Sequence, residues 1–397
     1  MEKIRFLWRK FFDKLKDILW KLKKFVLKHR KPTLIAAILL AVFLAVTLWF
    51  LFRTYHGYEV MEHMDRNSDT SANLYFRDDG IVCFSKDGIS FTNENHEIVW
   101  NQVFGMTTPK MDACDDYMAI GDIGANSLYI FNGKGTQGQI AFEKPLEDFR
   151  VSSQGVVAAI LADGEANQIN IYSKTGETLA SIKASIGATG YPLTLALSDN
   201  AERMVVSYVM FNSGKLESQL VFYNFTSKEN SAEPAGSFTY DQIIPKVEFV
   251  DSDTVLACGE NGFATYHFKD IVHEKDKKFF DSEIKSVFVT DHHVGFIRKN
   301  MEEVEEGEVP DKYLLEVYNF RGRKTDSFTF DFDYKYVAAT EKDIILYNDW
   351  ECNMYTYYGK CKFQHAFEHN IEKILPAKQS GEYIIIDAQS VQTVRLK

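Results

Sequence analysis

An all-β propeller of eight blades, or of seven if its first unit is short, is the fold this 397-residue chain predicts. Three observations predict it. A strand motif of alternating apolar and aromatic residues ending in a turn recurs at Phe91, Phe131, Tyr172, Tyr223, Tyr266, Tyr318, Tyr357 and Val394. Its intervals run from 37 (Tyr357 to Val394) to 52 (Tyr266 to Tyr318). A second apolar run precedes most copies: IVCF at 81–84, YMAIGD at 117–122, VVAAILA at 156–162, MVVSYVM at 204–210, TVLACGE at 254–260, DIILYN at 343–348 and YIIID at 383–387. Finally, no stretch after residue 60 keeps a helical period over four turns. A repeat near forty residues with several strands per unit is the spacing of propeller blades, and its regularity argues against an open sandwich array.

Four segments follow in order. Residues 1–32 carry twelve Lys or Arg against three acidic residues, so +9. Apolar residues from Ile4 to Val26 recur at spacings of three and four with basic residues between them. This is a basic amphipathic helix suited to a membrane interface. A coiled-coil seam also fits the spacing, but its three aromatic residues and uniformly positive flanks suit a dimer poorly. Pro32 ends or kinks the helix.

The second segment, 33–52, holds an uncharged run of nineteen residues that opens at Leu34 and closes at Phe52. As a helix it would be about 29 Å long, the thickness of a hydrocarbon core. The whole chain carries −11, so the residues after 32 carry −11 − 9 = −20. The positive-inside rule then expects a single-pass signal-anchor in the cell membrane, with a cytoplasmic N-terminus and the large domain outside. The long basic leader and the lack of a small-x-small site after the run argue against a cleaved signal peptide. The run has no polar residue beyond Thr47 and no G-x-x-x-G seam, so it reads as a tether in the lipid bilayer.

Residues 53–72 are polar and read as a linker. The propeller occupies 73–397. Its last unit ends without an outer fourth strand, and rings of blades close by borrowing a strand from the other end of the chain. The stretch 73–76 is the candidate for that strand. Two units are long. The fourth carries insertions at 211–217 and 226–235. The sixth carries 301–311, whose Glu302, Glu303, Glu305, Glu306 and Glu308 form a candidate interaction loop, or simply a solvated acidic one.

The acidic balance excludes nucleic acid as a partner. Five widely spaced cysteines make no disulfide framework, although Cys352 and Cys361 flank a turn and are a possible disulfide. Gly133–Gly138 spells G-x-G-x-x-G, but a strand-like run follows it, so it reads as a hairpin. His365 and His369 would lie roughly 13 Å apart in a strand, too far for one metal. His292 and His293 would point to opposite faces for the same reason. No catalytic residue, cofactor-binding residue or metal ligand is assigned. The aromatic group Trp350, Tyr355, Tyr357, Tyr358 and Phe363 reads as core, or as a stacking surface.

Two stretches, SKTGETL at 173–179 and NENHEIVW at 93–100, resemble degenerate copies of the blade signature of PQQ-like propellers. Only the second keeps the tryptophan, Trp100, with Ala180 in its place in the first. Through GYPLTLALSDNAERMVVSYV (190–209), LVFYNF (220–225), QIIPKVEF (242–249) and LEVYNFRG (315–322), the chain is similar to an uncharacterised family of Gram-positive single-pass membrane proteins with a PQQ-like or WD40-like propeller outside. The resemblance implies fold and topology and no catalytic residues. The function expected is therefore a non-enzymatic scaffold in an envelope complex with a protein partner. The alternatives are a ligand or glycan sensor at the channel mouth and a quinoprotein-type enzyme.

Overall fold

The computed structural model describes residues 38–39, 41–43, 53–66, 73–77, 79–95, 97–164, 166–185, 187, 189–226, 234–302 and 309–397. The chain divides into two units, 1–55 and 56–397. In the first, short helical pieces at 38–39 and 41–43 are described; the rest of the apolar run lies outside the described residues. Among the described residues no helix is long and apolar enough to cross a membrane.

The second unit is an eight-bladed β-propeller. Seven blades are four-stranded antiparallel sheets built in chain order: 73–103, 109–141, 146–185, 191–240, 246–279, 284–330 and 336–366. The eighth takes Ile371–Pro376, Glu382–Asp387 and Ser390–Leu396 from the end of the chain and adds Tyr58–Asp65 as its outermost strand. The first strands lie against one another from blade two to blade five and from blade six to blade eight.

The recurring sequence motif is the third strand of each blade, and the register explains why it recurs. In blades two to six the pairing of third and fourth strands slips by one residue at the repeated aromatic: Phe131, Tyr172, Tyr223, Tyr266 and Tyr318. Such a bulge bends the outer strand and sharpens the twist. Each of these rings is buried. In blade seven the slip falls at Tyr355 rather than at Tyr357, two residues before the position the repeat suggested. The second apolar runs are the second strands, covered on both faces and hence mostly apolar, as in Val157–Leu161 and, after its opening aspartate, Asp343–Tyr347.

Two sequence expectations are corrected. The closing strand is Tyr58–Asp65, paired with Ser390–Leu396 from Tyr58↔Leu396 to Asp65↔Ser390. Residues 53–72 are thus only partly linker, and Asn73–Arg77 is the channel-side strand of blade one. The physical reason is burial. An outermost strand pairs along one edge only, and Tyr58–Asp65 is almost wholly exposed, so selection for an apolar pattern is weak there. The second correction concerns the cysteines. Cys352 lies opposite His365 and Cys361 opposite Tyr355, so three ladder positions separate them, about 10 Å and beyond bridging distance. Both are free thiols, pushed up in pKa by burial.

The core sits between blades. The fourth strands turn outward, and apolar clusters fill the gaps between neighbouring sheets from blade eight through blade one to blade seven. Thirteen buried side chains, among them Ile160, Ile171, Leu195, Val206 and Tyr208, join blades three and four.

Candidate functional site

Three places on the propeller bring chemistry-bearing side chains together. The first is the seam between blades eight and one, where the ring closes. Among the described residues its apolar cluster holds Ile384, Ile386 and Val391 as buried members, with Met64, Leu74, Phe76, Leu375 and Ala377 packed partly against them. On its outer side a cleft of about 480 Å³ opens between Met64 and Asp65 on one wall and Asn101 to Val103 on the other, floored by Leu74, Ile81, Cys83 and Ile89. The rim continues along Ile98–Val103, the outer strand of blade one, which pairs inward with Gly88–Asn93 and has no ladder on its outer edge among the described residues. Ile98 is 67% exposed and Val103 81%. Its Trp100 turns the other way. The indole stacks on Phe131 of blade two at 5.3 Å and donates to the Gly133 carbonyl at 3.3 Å. Trp100 therefore anchors the strand and leaves the aliphatic residues outside.

The second place is the channel wall of blades two to five, around a cavity of about 540 Å³. Asp148 is its hub. Its Oδ1 accepts Lys110 Nζ at 2.5 Å, Arg150 Nη1 at 2.9 Å and the Phe149 amide at 2.8 Å. The Val151 amide donates to Asp112 Oδ2 at 2.7 Å, tying blade three to blade two. Burial raises the pKa of Asp112 above the usual carboxylate range, against the pull of Arg150. Lys246 and Glu248 pair at 2.9 Å. Cys114 donates to Asp199 Oδ1 at 3.5 Å, and burial beside that carboxylate pushes its thiol up to about 12. The charged groups of this wall face one another.

The third place joins equivalent turns of blades six and seven, each just before its blade's second strand. Asp291, His292 and Glu341 each offer a ligand atom within 4.8 Å of the others. The Nδ1 atoms of His292 and His293 lie 3.4 and 3.5 Å from Glu341 Oε2. The His292 amide donates to Glu341 Oε1 at 3.3 Å. Burial would raise the Glu341 carboxyl, but a Thr290 hydrogen bond and the two imidazoles outweigh it and hold the carboxyl below its usual value. Sequence reasoning missed this site. The two histidines do not alternate across a strand, because His292 is in the turn and only His293 opens the strand His293–Lys299.

Other sequence candidates fall as follows. Glu302 is exposed, with its amide donating to Asn300 Oδ1 at 3.1 Å; Glu303, Glu305, Glu306 and Glu308 lie outside the described residues. The run Gly133–Gly138 makes the hairpin between the third and fourth strands of blade two. His365 is stacked among Phe363, Phe367 and Tyr58, away from any second imidazole contact described. Tyr355, Tyr357 and Phe363 are buried, whereas Trp350 and Tyr358 are exposed at opposite ends of their strand.

The fold has solved counterparts. The chain aligns with the crystal structure of BamB from Moraxella catarrhalis at TM-score 0.54 and 12% identity, over 85% of this chain and 100% of that one. It aligns with the crystal structure of a eukaryotic initiation factor at TM-score 0.55 and 10% identity, over 83% of each chain. At such identities the likeness is one of fold. No curated protein matches the sequence. A family model matches residues 52–396, a span that takes in the closing strand and all eight blades, and the chain belongs to the Family of unknown function (DUF5711).

Proposed function

We propose that this propeller is a non-enzymatic protein-interaction scaffold, held at the cell membrane by the run from Leu34 to Phe52 with its blades outside the cytoplasm. The anchoring is supported by the length and apolarity of that run and by the charge step across it. The scaffold reading is carried by one observation: the exposed aliphatic edge strand Ile98–Val103 beside the seam cleft. A free strand edge with apolar side chains is a template for another chain, and monomeric surfaces ordinarily avoid it. An extended peptide that added to this edge would take backbone hydrogen bonds from it and place side chains in the cleft.

A ligand sensor in the channel is the second reading, favoured by the cavity among blades two to five. The partners of Asp148 argue for a structural role instead, since Lys110 and Arg150 already neutralise it.

Site-specific photocrosslinking in intact cells tests the proposal. A photoreactive residue at Val103 is expected to trap a discrete protein partner. One at Lys277, on the charged outer strand of blade five, serves as the comparison and is expected to trap none. Equal trapping at both positions, or none at Val103, overturns the scaffold reading.

A further inference from the structure

We propose that Asp291, His292 and Glu341, whose ligand atoms lie within 4.8 Å of one another, form a binding site for a transition-metal dication of the zinc class, with His293 flanking Glu341, clamping blade six to blade seven. A neutral imidazole has one N–H and one lone pair, and a carboxylate has only lone pairs. Two Nδ1 atoms converge on a single oxygen, Glu341 Oε2, at 3.4 and 3.5 Å. Ordinary N–H···O bonds cluster near 2.9–3.0 Å, so both contacts are long for hydrogen bonds. The His292 Nδ1 to Glu341 Oε2 spacing matches a different geometry. Ligand atoms bound to one zinc ion at about 2.0–2.1 Å in tetrahedral coordination lie about 3.4 Å from one another.

Two further observations point the same way. The Nδ1 of His293 is buried and has no hydrogen-bond partner, which is costly for a polar atom unless something fills its lone pair. The second oxygen of Glu341 accepts the His292 amide, so the carboxylate is oriented with Oε2 toward the imidazoles. Behind them the Tyr357 ring lies 5.7 Å from the His293 ring, and its hydroxyl donates to the Thr340 carbonyl at 2.6 Å. That bond fixes the blade-seven turn next to Glu341.

The donor set selects the metal. An imidazole nitrogen beside carboxylate oxygens suits zinc, nickel, cobalt or copper, whereas calcium and magnesium demand all-oxygen shells. Because the ligands come from turns of adjacent blades, a bound ion would cross-link two sheets that otherwise meet through side-chain packing. An ion that binds the folded state alone stabilises it by mass action.

The test uses the full chain in detergent, stripped of metal by a chelator. Titration with Zn2+ alone, followed calorimetrically, is expected to show one equivalent bound. Saturation should raise the melting temperature by about 3 °C or more. Co2+ should give the visible absorption of a low-coordinate site. Glu341→Gln, which keeps shape, and the double variant His292→Ala/His293→Ala should each weaken zinc at least tenfold and remove the cobalt band. His365→Ala/His369→Ala should leave both unchanged. Far-UV circular dichroism confirms that each variant is folded. The proposal is overturned if the wild-type chain binds no equivalent, if Glu341→Gln and the histidine pair retain full zinc affinity, or if Ca2+ and Mg2+ bind equally well.

Discussion

The interface between blades three and four and the seam between blades eight and one perform the same task in the ring by different means. The first is a dry interlayer: Leu195, Met204 and Val206 of one sheet meet Ala158, Ile160 and Ile169 of the other, all essentially without exposure. The seam has three buried aliphatic residues, a cleft on its outer side and a second cavity of about 320 Å³ toward the channel, lined by Tyr75, Phe84 and Met111. Glycines mark the same contrast. A Cβ on Gly138 would stand 1.9 Å from the Lys174 carbonyl oxygen of blade three, and one on Gly322 would collide with Asp276 of blade five. Close approach of this kind recurs at several blade junctions, and no glycine beside the seam shows it toward the neighbouring blade. Sequential blades are joined by short covalent connections and pack tightly. Blade eight instead closes the ring by strand pairing between Tyr58–Asp65 and Ser390–Leu396.

The largest effect should come from removing that pairing. Deletion of residues 56–66 takes away the outer strand of blade eight and the Arg66–Glu372 ion pair. A loss on the order of 5 kcal/mol or more is expected, comparable with the whole stability of a modest domain. Limited proteolysis should then cut first in blade eight. Cleavage starting in blade three instead would refute the idea that the seam is the weak junction.

Truncations inside the two interfaces come next. Leu195→Ala should cost about 4 kcal/mol, because the rigid surroundings leave its cavity unfilled. Ile384→Ala should cost about 2 kcal/mol, because an interface already bordered by clefts relaxes or hydrates more readily. Denaturant midpoints decide between them, and equal costs would erase the contrast. Gly138→Ala should cost about 1–3 kcal/mol by forcing two backbones apart.

A titration sharpens the comparison from the polar side. The Asp112 carboxyl is raised by burial, so its contribution favours the folded state below the unfolded carboxyl range and is lost as pH rises through the folded value. Asparagine keeps an oxygen for the Val151 amide. Asp112→Asn should therefore be more stable than the wild type at pH 7, and the advantage should shrink as pH falls toward about 3.9. An advantage that grows on acidification would contradict it. The smallest effect belongs to Lys378→Ala. Its pair with Glu94 crosses the seam at 3.1 Å between exposed side chains, and a melting shift corresponding to no more than about 0.5 kcal/mol is expected.

The parts that were legible in the sequence are those the fold repeats. The third-strand aromatics are written again in blade after blade because the same bulge needs the same buried ring. The second strands read as apolar runs because both of their faces are covered. The closing strand escaped because YEVMEHMD is exposed on nearly every residue and carries no apolar alternation to detect. The Glu341 site escaped for another reason. His292 and Glu341 are 49 residues apart, and only the equivalence of their turns in successive blades brings them together. Superimposing the sixth and seventh units on the starts of their second strands, His293 and Asp343, would have placed Glu341 in the turn that matches Asp291. The Cys352–Cys361 pairing failed because the hairpin sets Cys361 opposite Tyr355, three ladder positions from Cys352, close to the register that a two-residue turn at Tyr358-Gly359 already implies.

The closing strand also decides how the propeller meets mechanical force. The amides of His56 and Gly57 donate to the carbonyl of Lys397, so the segment entering the propeller and the last residue of the chain are fastened to each other. Any load on the chain ahead of residue 56 reaches the ring through Tyr58–Asp65, whose only ladder is the one to Ser390–Leu396. That ladder is the first that such a load meets. The propeller thus has a built-in breaking point at its entrance, set beside the cleft where a partner strand would be received.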